Sequence, residues 1–320
     1  MARQQTILIL GGSGFVGAHL AHRLTERGWQ VRIPVRRRAR ARHLLVNPRI
    51  EVIETGQGLT EQLASLLDGC AAAVNLVGIL NEHHAGDFQR VHVELADHFL
   101  QSCQATGVPR LLHMSALNAN ALETRSRYLR SKGEAEDLMH AESGPGLQVT
   151  SFRPSVIFGP DDSFFNRFAG LLKLTPGAFP LACGEARFAP VYVGDVVEAF
   201  LRCLEDDSTA GLRLDLCGPR VYTLHELVKY TARQLGLRRI ILDLPDFLAR
   251  LQARVLQFVP GKPFTLDNYW SLQIDSVCQE NGCARLGIQP RSVEAIVPGY
   301  LGGKRPRDRY TEYRRLARRP

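Results

Sequence analysis

The stretch from Ile7 to Gly17, ILILGGSGFVG, limits the fold of this chain more than any other. Four apolar residues, Ile7, Leu8, Ile9 and Leu10, run into glycines spaced Gly11-x-x-Gly14-x-x-Gly17. Val16, Leu20 and Leu24 follow four apart, the spacing of one helix face. The pattern is strand, tight turn, helix. A strand apolar at every position is buried on both faces, as in a parallel sheet. The glycines have separate tasks. The first admits the sharp turn, the middle one lets backbone approach a diphosphate, and the last lets the helix pack close on the strand. Gly11, Gly12, Ser13, Gly14, Phe15, Val16 and Gly17 therefore form a candidate dinucleotide cradle, with the diphosphate at the helix N-terminus, where free amides and the dipole favour negative charge. The plainer alternative is a glycine-rich turn that holds nothing. The strand-to-helix context favours the dinucleotide.

The rest of the chain repeats the same alternation. QVRIPV (30–35) and RIEVIE (49–54) read as strands two and three, followed by a short helix over Thr60–Leu67. Ala71–Gly78 reads as strand four, and a long helix over about Asp87–Thr106 is stopped by Gly107 and Pro109. Arg110–Ala116 is strand five, Tyr128–Glu142 a helix and Leu147–Pro154 strand six. Such alternation predicts an α/β fold, a Rossmann-type doubly wound parallel sheet with helices on both faces. Beyond Gly159 the pattern loosens. DDSFFNRFAGLLKL predicts a helix outside the sheet, PVYVGDVVEAFLRCL a return to the sheet followed by a helix, and LRLDLCGP a further strand. Thr223 with Glu226 predicts a capping box. The expected division is a dinucleotide-binding region over 1–160, rejoined by 190–220. A smaller C-terminal lobe takes 161–189 and 221–302, and a basic tail takes 303–320.

At 320 residues the chain can bury a large core, and 45% apolar with 22% charged residues is ordinary for a globular protein. No apolar run approaches the roughly 18 residues of a membrane helix. MARQQTILIL enters a strand directly, so no signal peptide is expected. Seven dispersed cysteines, with Cys278 and Cys283 the closest pair, read as reduced thiols of a cytoplasmic protein. The net charge of +8 is concentrated: eight Lys/Arg against Asp308 and Glu312 give the tail +6 of it. That tail could touch RNA or anionic lipid, but it reads first as a solvated end, and nucleic acid is not an expected partner.

Strand two ends in Arg36, where folds of this kind usually place an acid on the ribose 2′-hydroxyl. No acid stands there. An arginine at this point can hold a 2′-phosphate, which favours NADP(H) over NAD(H). Leu76, Val77 and Gly78, at the end of strand four, are candidates to line the cofactor, with glycine admitting close backbone approach. Tyr128 and Lys132 stand four apart, on one helix face. A lysine beside a tyrosine is expected to lower the phenol's pKa and so poise it as a proton donor to a carbonyl. His83-His84 lacks an acidic cluster and reads as loop, not metal ligand, and no metal is expected. Asp195 reads as a local cap.

GGSGFVG, the NLVG strand end, Tyr-x-x-x-Lys, FRPSVIFGP (Phe152–Pro160) and VYVGDVV (Val191–Val197) resemble the extended and atypical short-chain dehydrogenase/reductase superfamily. SRYLRSKGEAE, FGPDDSFFNRFAGLL, GKPFTLDNYWSLQIDSV and VPGYL resemble, more narrowly, one branch of it. That branch contains the NADPH-binding alpha-subcomplex subunit nine of respiratory complex I and its bacterial relatives. The resemblance spans about Gln5 to Leu301. It implies that Gly11, Gly14, Phe15 and Gly17 hold the pyrophosphate and Arg36 the 2′-phosphate. It also implies Tyr128 as proton donor, Lys132 on the nicotinamide ribose, and Pro154, Ser155 and Ile157 beside the nicotinamide. The branch implies peripheral association with an inner-membrane respiratory complex.

Departures from the superfamily pattern matter as much. The working hydroxyl after strand five falls at Ala116 in the common two-serine pattern, leaving Ser115 as its only substitute. Gly56-Gln57-Gly58 stands where many relatives carry an adenine-contacting Asp, and His92 where Asn is common. The cofactor site reads as complete and the catalytic set as eroded. The first reading is an accessory protein with NADPH as a structural ligand. The alternative is an NADPH-dependent reductase or epimerase-type enzyme acting on a small, lipophilic or quinone-related substrate. RNA binding through the tail is a third and weaker one. If Arg36 meets a 2′-phosphate, NADPH should bind at least about tenfold tighter than NADH, since about 1.4 kcal/mol is tenfold. Titration calorimetry with both nucleotides checks this; equal affinities, or an Arg36→Asp variant with an unchanged ratio, would refute it.

Overall fold

The computed structural model describes residues 5–301; the basic tail expected at 303–320 lies outside them. Strand β1 (Thr6–Leu10) leads through the glycine turn into α1 (Phe15–Glu26). Next come β2 (Gln30–Val35), β3 (Ile50–Glu54), α2 (Leu59–Leu67) and β4 (Cys70–Asn75). A π-helical stretch over Gln89–Glu94 runs into α3 (Leu95–Thr106), and Gly107, at φ 70°, terminates it. Strand β5 (Arg110–Met114), α4 (Arg127–Ala141) and β6 (Gln148–Pro154) complete the repeating part.

β1 lies near the middle of a seven-stranded sheet in which every pairing is parallel, with strand order β11-β6-β5-β4-β1-β2-β3, where β11 is Arg213–Leu216. Its double burial is visible residue by residue. Ile7 and Ile9 join the apolar cluster formed with α1 and the later helix Val193–Glu205, while Leu8 and Leu10 join the cluster under α2, α3 and α4. All four are at most 1% exposed. Burial of this kind contributes roughly 1.5–3 kcal/mol per side chain, which is why the strand carries no polar residue between Ile7 and Leu10.

Beyond β6 the chain builds small pieces on the sheet's C-terminal edge. These are β7 (Ile157–Phe158), α5 (Phe165–Leu174), β8 (Ala178–Leu181), β9 (Arg187–Phe188), β10 (Val191–Tyr192) and α6 (Val193–Glu205). After β11 come β12 (Tyr222–Thr223), α7 (Leu224–Gln234), β13 (Ile240–Asp243), α8 (Asp246–Leu256) and α9 (Leu266–Ser271). The capping box at Thr223 and Glu226 forms as the sequence predicts.

Three expectations are corrected. VYVG does not return to the central sheet: β10 pairs with β7 in a separate two-stranded ribbon, and only β11 joins the sheet, beside β6. The seven cysteines are not all reduced, because Cys217 and Cys278 form a disulfide 61 residues apart in sequence. Sequence spacing gives no hint of that pair, since the strand end carrying Cys217 and the segment carrying Cys278 meet only through the tertiary fold. Asp195 is not a local cap: its carboxylate takes the Arg291 amide (2.7 Å) and guanidinium (2.9 Å) from the far end of the chain.

The last glycine of the turn does what its position predicts. A Cβ on Gly17 would stand 2.4 Å from the Gly11 carbonyl oxygen and 2.6 Å from Gly12 Cα, both backbone atoms that cannot swing aside. On Gly14 it would meet only the Gly11 oxygen, at 3.2 Å. Gly17→Ala should therefore lower the thermal midpoint by several degrees, a cost of about 1–3 kcal/mol, and Gly14→Ala should leave it near the native value. Differential scanning calorimetry of the two variants checks the asymmetry; equal midpoints would refute it.

Candidate functional site

The turn presents what a diphosphate needs. Gly11 adopts φ 77°, and its missing side chain leaves room for the Leu76–Val77 peptide, which a Cβ would meet at 3.0 Å. The glycine turn and the end of β4 are thus adjacent. Helix α1 begins at Gly14 with no side-chain cap. Among the described residues no protein acceptor takes the amides of Ser13, Phe15 or Val16, whereas Gly12 and Gly14 turn theirs inward onto Ile9 (3.3 Å) and Gly11 (3.0 Å). An uncapped helix start with several free amides fits an anionic ligand.

Strand β4 ends at Asn75, three residues before the sequence predicts. The Asn75 side chain accepts the Val77 amide (3.1 Å), which turns the backbone out of the ladder and leaves Leu76, Val77 and Gly78 as loop. Arg36 is exposed at the C-terminal end of β2, and no carboxylate pairs with it among the described residues. Its geometry therefore leaves it available to an external anion.

Ser126 starts α4 by accepting the Leu129 amide. Tyr128 and Lys132 then share one face, but they do not form the expected electrostatic pair. Lys132 is 4% exposed, and its ammonium donates to the carbonyls of Met114 (2.9 Å) and Val77 (3.4 Å). Burial brings it down to about 8. The Tyr128 phenol is not lowered: burial pushes it up to about 12, and the Asp267 carboxylate adds to the effect. Asp267 arrives from α9 and accepts the amides of Arg127 (2.6 Å) and Tyr128 (3.3 Å), so an anion sits at the start of the helix that carries the tyrosine. Asp267 lies within the GKPFTLDNYWSLQIDSV stretch, but nothing in the sequence paired it with Tyr128, 139 residues away. The Tyr128 ring lies against Phe88 and His92, at 5.9 and 5.8 Å between centroids.

His92 is the second residue missed as a participant. It lies within the π-helical stretch, 2% exposed. Its Nε2 accepts the Ile79 amide (3.0 Å), so Nδ1 carries the proton and donates to Ser131 Oγ (2.8 Å), which in turn donates to the Tyr128 carbonyl (3.0 Å). Burial holds it down to about 3, with the Lys132 ammonium adding to the effect, so it is neutral. Gly78 completes the group: a Cβ there would stand 3.2 Å from Lys132 Nζ and 3.7 Å from His92 Nε2.

The other candidates are committed elsewhere. Ser115, 3% exposed, donates its hydroxyl to Glu136 (2.9 Å), and Arg153 clamps the same carboxylate (2.9 Å). Ser155 donates to the Ser276 carbonyl (2.7 Å), tying the sheet to the segment that carries the Cys278 disulfide. Pro154 closes β6 with its carbonyl on the Leu117 amide, and Ile157 pairs with Val191.

Two buried histidines, His92 and His113, and the half-buried His140 give a pH prediction. His92 is held at about 3, His140 at about 4, and His113 well below the ordinary value of 6.5, each chiefly by burial. The unfolded chain takes up these protons as pH falls through about 6.5, while the folded protein does not, so stability is lost from that point downward. Glu136 and Asp267, raised chiefly by burial, act in the opposite sense. The thermal midpoint should fall steadily between about pH 7 and pH 5. His140→Gln, which keeps a partner for Ser151, should flatten part of that slope. A midpoint flat across the window would contradict the assignment.

Comparison with known proteins bears on the family and the fold. Alpha subcomplex subunit 9 of mitochondrial NADH dehydrogenase (ubiquinone) from Mus musculus is 28% identical over 295 residues, 89% of this chain and 77% of that protein. The 40 kDa subunit of NADH-ubiquinone oxidoreductase from Neurospora crassa is 26% identical over 78% of this chain and 66% of its own length. A ceramide reductase of Caulobacter vibrioides is 26% identical over 75% of this chain and 74% of its own. Among solved structures, the dTDP-glucose 4,6-dehydratase DesIV of Streptomyces venezuelae superposes with a TM-score of 0.72 at 20% identity, covering 96% of this chain and 98% of that one. The family model for the NAD dependent epimerase/dehydratase family matches residues 7–213. Since that match takes in the glycine turn, the Tyr128–Lys132 helix and every strand of the central sheet up to the start of β11, the chain belongs to the NAD dependent epimerase/dehydratase family.

Proposed function

We propose that this protein holds NADP(H) as a resident ligand and serves as an accessory subunit or assembly factor of a membrane-bound respiratory complex. The observation that carries the reading is the fate of Ser115. Its hydroxyl is bound to the buried Glu136–Arg153 pair, and the next residue is Ala116, so the strand-five end offers no free hydroxyl to hold a substrate carbonyl. The relatives that are respiratory-complex subunits support the same reading.

In this proposal the free amides of Ser13, Phe15 and Val16, with Gly11, Gly12, Gly14 and Gly17 clearing the way, bind the diphosphate. Arg36 binds the 2′-phosphate and makes NADP(H) the preferred form. Leu76, Val77 and Gly78 line the adenosine side, Lys132 turns from its carbonyls to the ribose, and Pro154, Ser155 and Ile157 border the nicotinamide. When bound, the nicotinamide would be a source of hydride. Tyr128, protonated at neutral pH, keeps a phenol with no protein partner among the described residues. That favours a second reading, a reductase of a lipophilic or quinone-like carbonyl compound, and the ceramide reductase relative points the same way.

Two substitutions separate the readings. Gly14→Val places a branched side chain where the diphosphate must approach and should abolish NADPH binding while the fold survives. Lys132→Ala should weaken NADPH about tenfold, the loss of one charged hydrogen bond. In the accessory reading, Gly14→Val also removes the protein from its membrane complex on native gels, and no ketone or quinone oxidises bound NADPH. Robust turnover that Tyr128→Phe abolishes, at unchanged NADPH affinity, would establish the enzyme and refute the accessory role.

A further inference from the structure

Helix α8 is mounted inside out. Its inward positions are Ala249 and Ala253, 2% and 0% exposed, packed with Ala182 and Tyr269. Leu248 and Leu256 are partly buried, but three large apolar residues face solvent: Phe247 is 69% exposed, Leu251 54% and Val255 57%, spaced four apart on the opposite face, with Phe258 just beyond at 84%. A helix of a solvated lobe normally shows the reverse pattern. The preceding strand adds to it. β13 pairs with β8 and turns Ile240 (67% exposed) and Leu242 outward while Ile241 joins the core. Gln252 of α8 reaches the Pro180 carbonyl of β8, and Ile240 bonds Gly177 close to the exposed Leu174, so helix, ribbon and the end of α5 adjoin.

The charges of this region are one-sided. Its acids are already satisfied: Asp243 takes His225 (2.7 Å), and Asp246 takes Arg250 (2.8 Å) and the Tyr269 hydroxyl. Lys173, Arg238 and Arg254 are exposed and have no partner among the described residues. Large apolar side chains bordered by unpaired cations are what an anionic lipid surface binds, the apolar groups entering the headgroup boundary and the cations meeting phosphate. A second copy of this chain fits worse, because it would bring the same cations against themselves. No helix among the described residues is long and apolar enough to cross a membrane, so contact would be with the surface.

We propose that the face made by α8, Phe258 and the outward side of the β8–β13 ribbon docks on an anionic bilayer surface. This deepens the accessory reading without depending on dinucleotide binding, and NADPH affinity measured in the same samples keeps the two separable. The test is flotation of the full chain with phosphatidylcholine–phosphatidylglycerol vesicles, against pure phosphatidylcholine. The native protein should float with the anionic vesicles, less so at high salt. The triple variant Phe247→Gln, Leu251→Gln, Phe258→Gln removes only exposed apolar groups. It should partition at least about tenfold less, with thermal midpoint and NADPH affinity unchanged. A chain ending at Gly303 should float more weakly than native but still depend on the three apolar residues. Three results would overturn the proposal. The native chain could fail to float. The triple variant could float as well as native while removal of the tail abolishes binding, which would assign lipid contact to the tail. Light scattering could show a native dimer that the triple variant dissociates, which would assign the face to a second copy.

Discussion

The contact between Gly17 and the backbone of Gly11 and Gly12 is what the rest of the site depends on. It sets α1 against the end of β1 closely enough that the helix starts directly over the turn, with its first amides unspent. Because β1 lies in the interior of the sheet, with both faces closed by apolar clusters, the turn cannot retreat. The same fixed turn leaves room for the Leu76–Val77 peptide of β4, and Val77 then offers its carbonyl to Lys132. One steric constraint thus connects the strand, the uncapped helix start and the buried ammonium.

A second layer of order is polar and comes from distant parts of the chain. Glu136, fully buried, gathers Ser115 and Arg153, and burial raises its pKa against the pull of that guanidinium. A buried carboxylate without such partners would cost several kcal/mol, so the serine and arginine are held firmly. That arrangement commits the Ser115 proton to Glu136. At Tyr128 burial raises the phenol, and the negative charge of Asp267, which anchors the helix start, adds to the rise.

The central sheet was legible in the sequence because its signals are local. An apolar strand, a glycine turn and an apolar helix face are contiguous, and six strands follow the same rule. Boundaries slipped where a side chain competes with the ladder, as Asn75 does by taking the Val77 amide and ending β4 early. The VYVG segment was assigned to the sheet because two apolar alternations look the same in a ribbon as in a sheet edge. The glycine turn from Gly11 to Gly17 was legible for the same local reason. Asp267, the Cys217–Cys278 bond and the Asp195–Arg291 tie were not, because each joins residues far apart in sequence whose spacing carries no periodic signal. His92 was noticed as a departure from a family pattern. Its neutral state and fixed tautomer follow only from the Ile79 amide and Ser131 hydroxyl that the fold sets on either side of its ring.

The C-terminal lobe relates to the site through one continuous set of contacts. Helix α8 holds α9 through Asp246 and Arg250, both bonded to the Tyr269 hydroxyl, and α9 holds the start of α4 through Asp267. Tyr128 is the second residue of that helix. Every link is a hydrogen bond or ion pair, and the path has one arrangement in the structure, whereas coupling between sites requires a two-state element. Its physical consequence is therefore positional, not allosteric. If α8 rests on a bilayer, these bonds fix the height and tilt of the Tyr128 helix above it. The mouth of the proposed dinucleotide site would then keep a constant relation to the membrane surface, as the proposed accessory role requires.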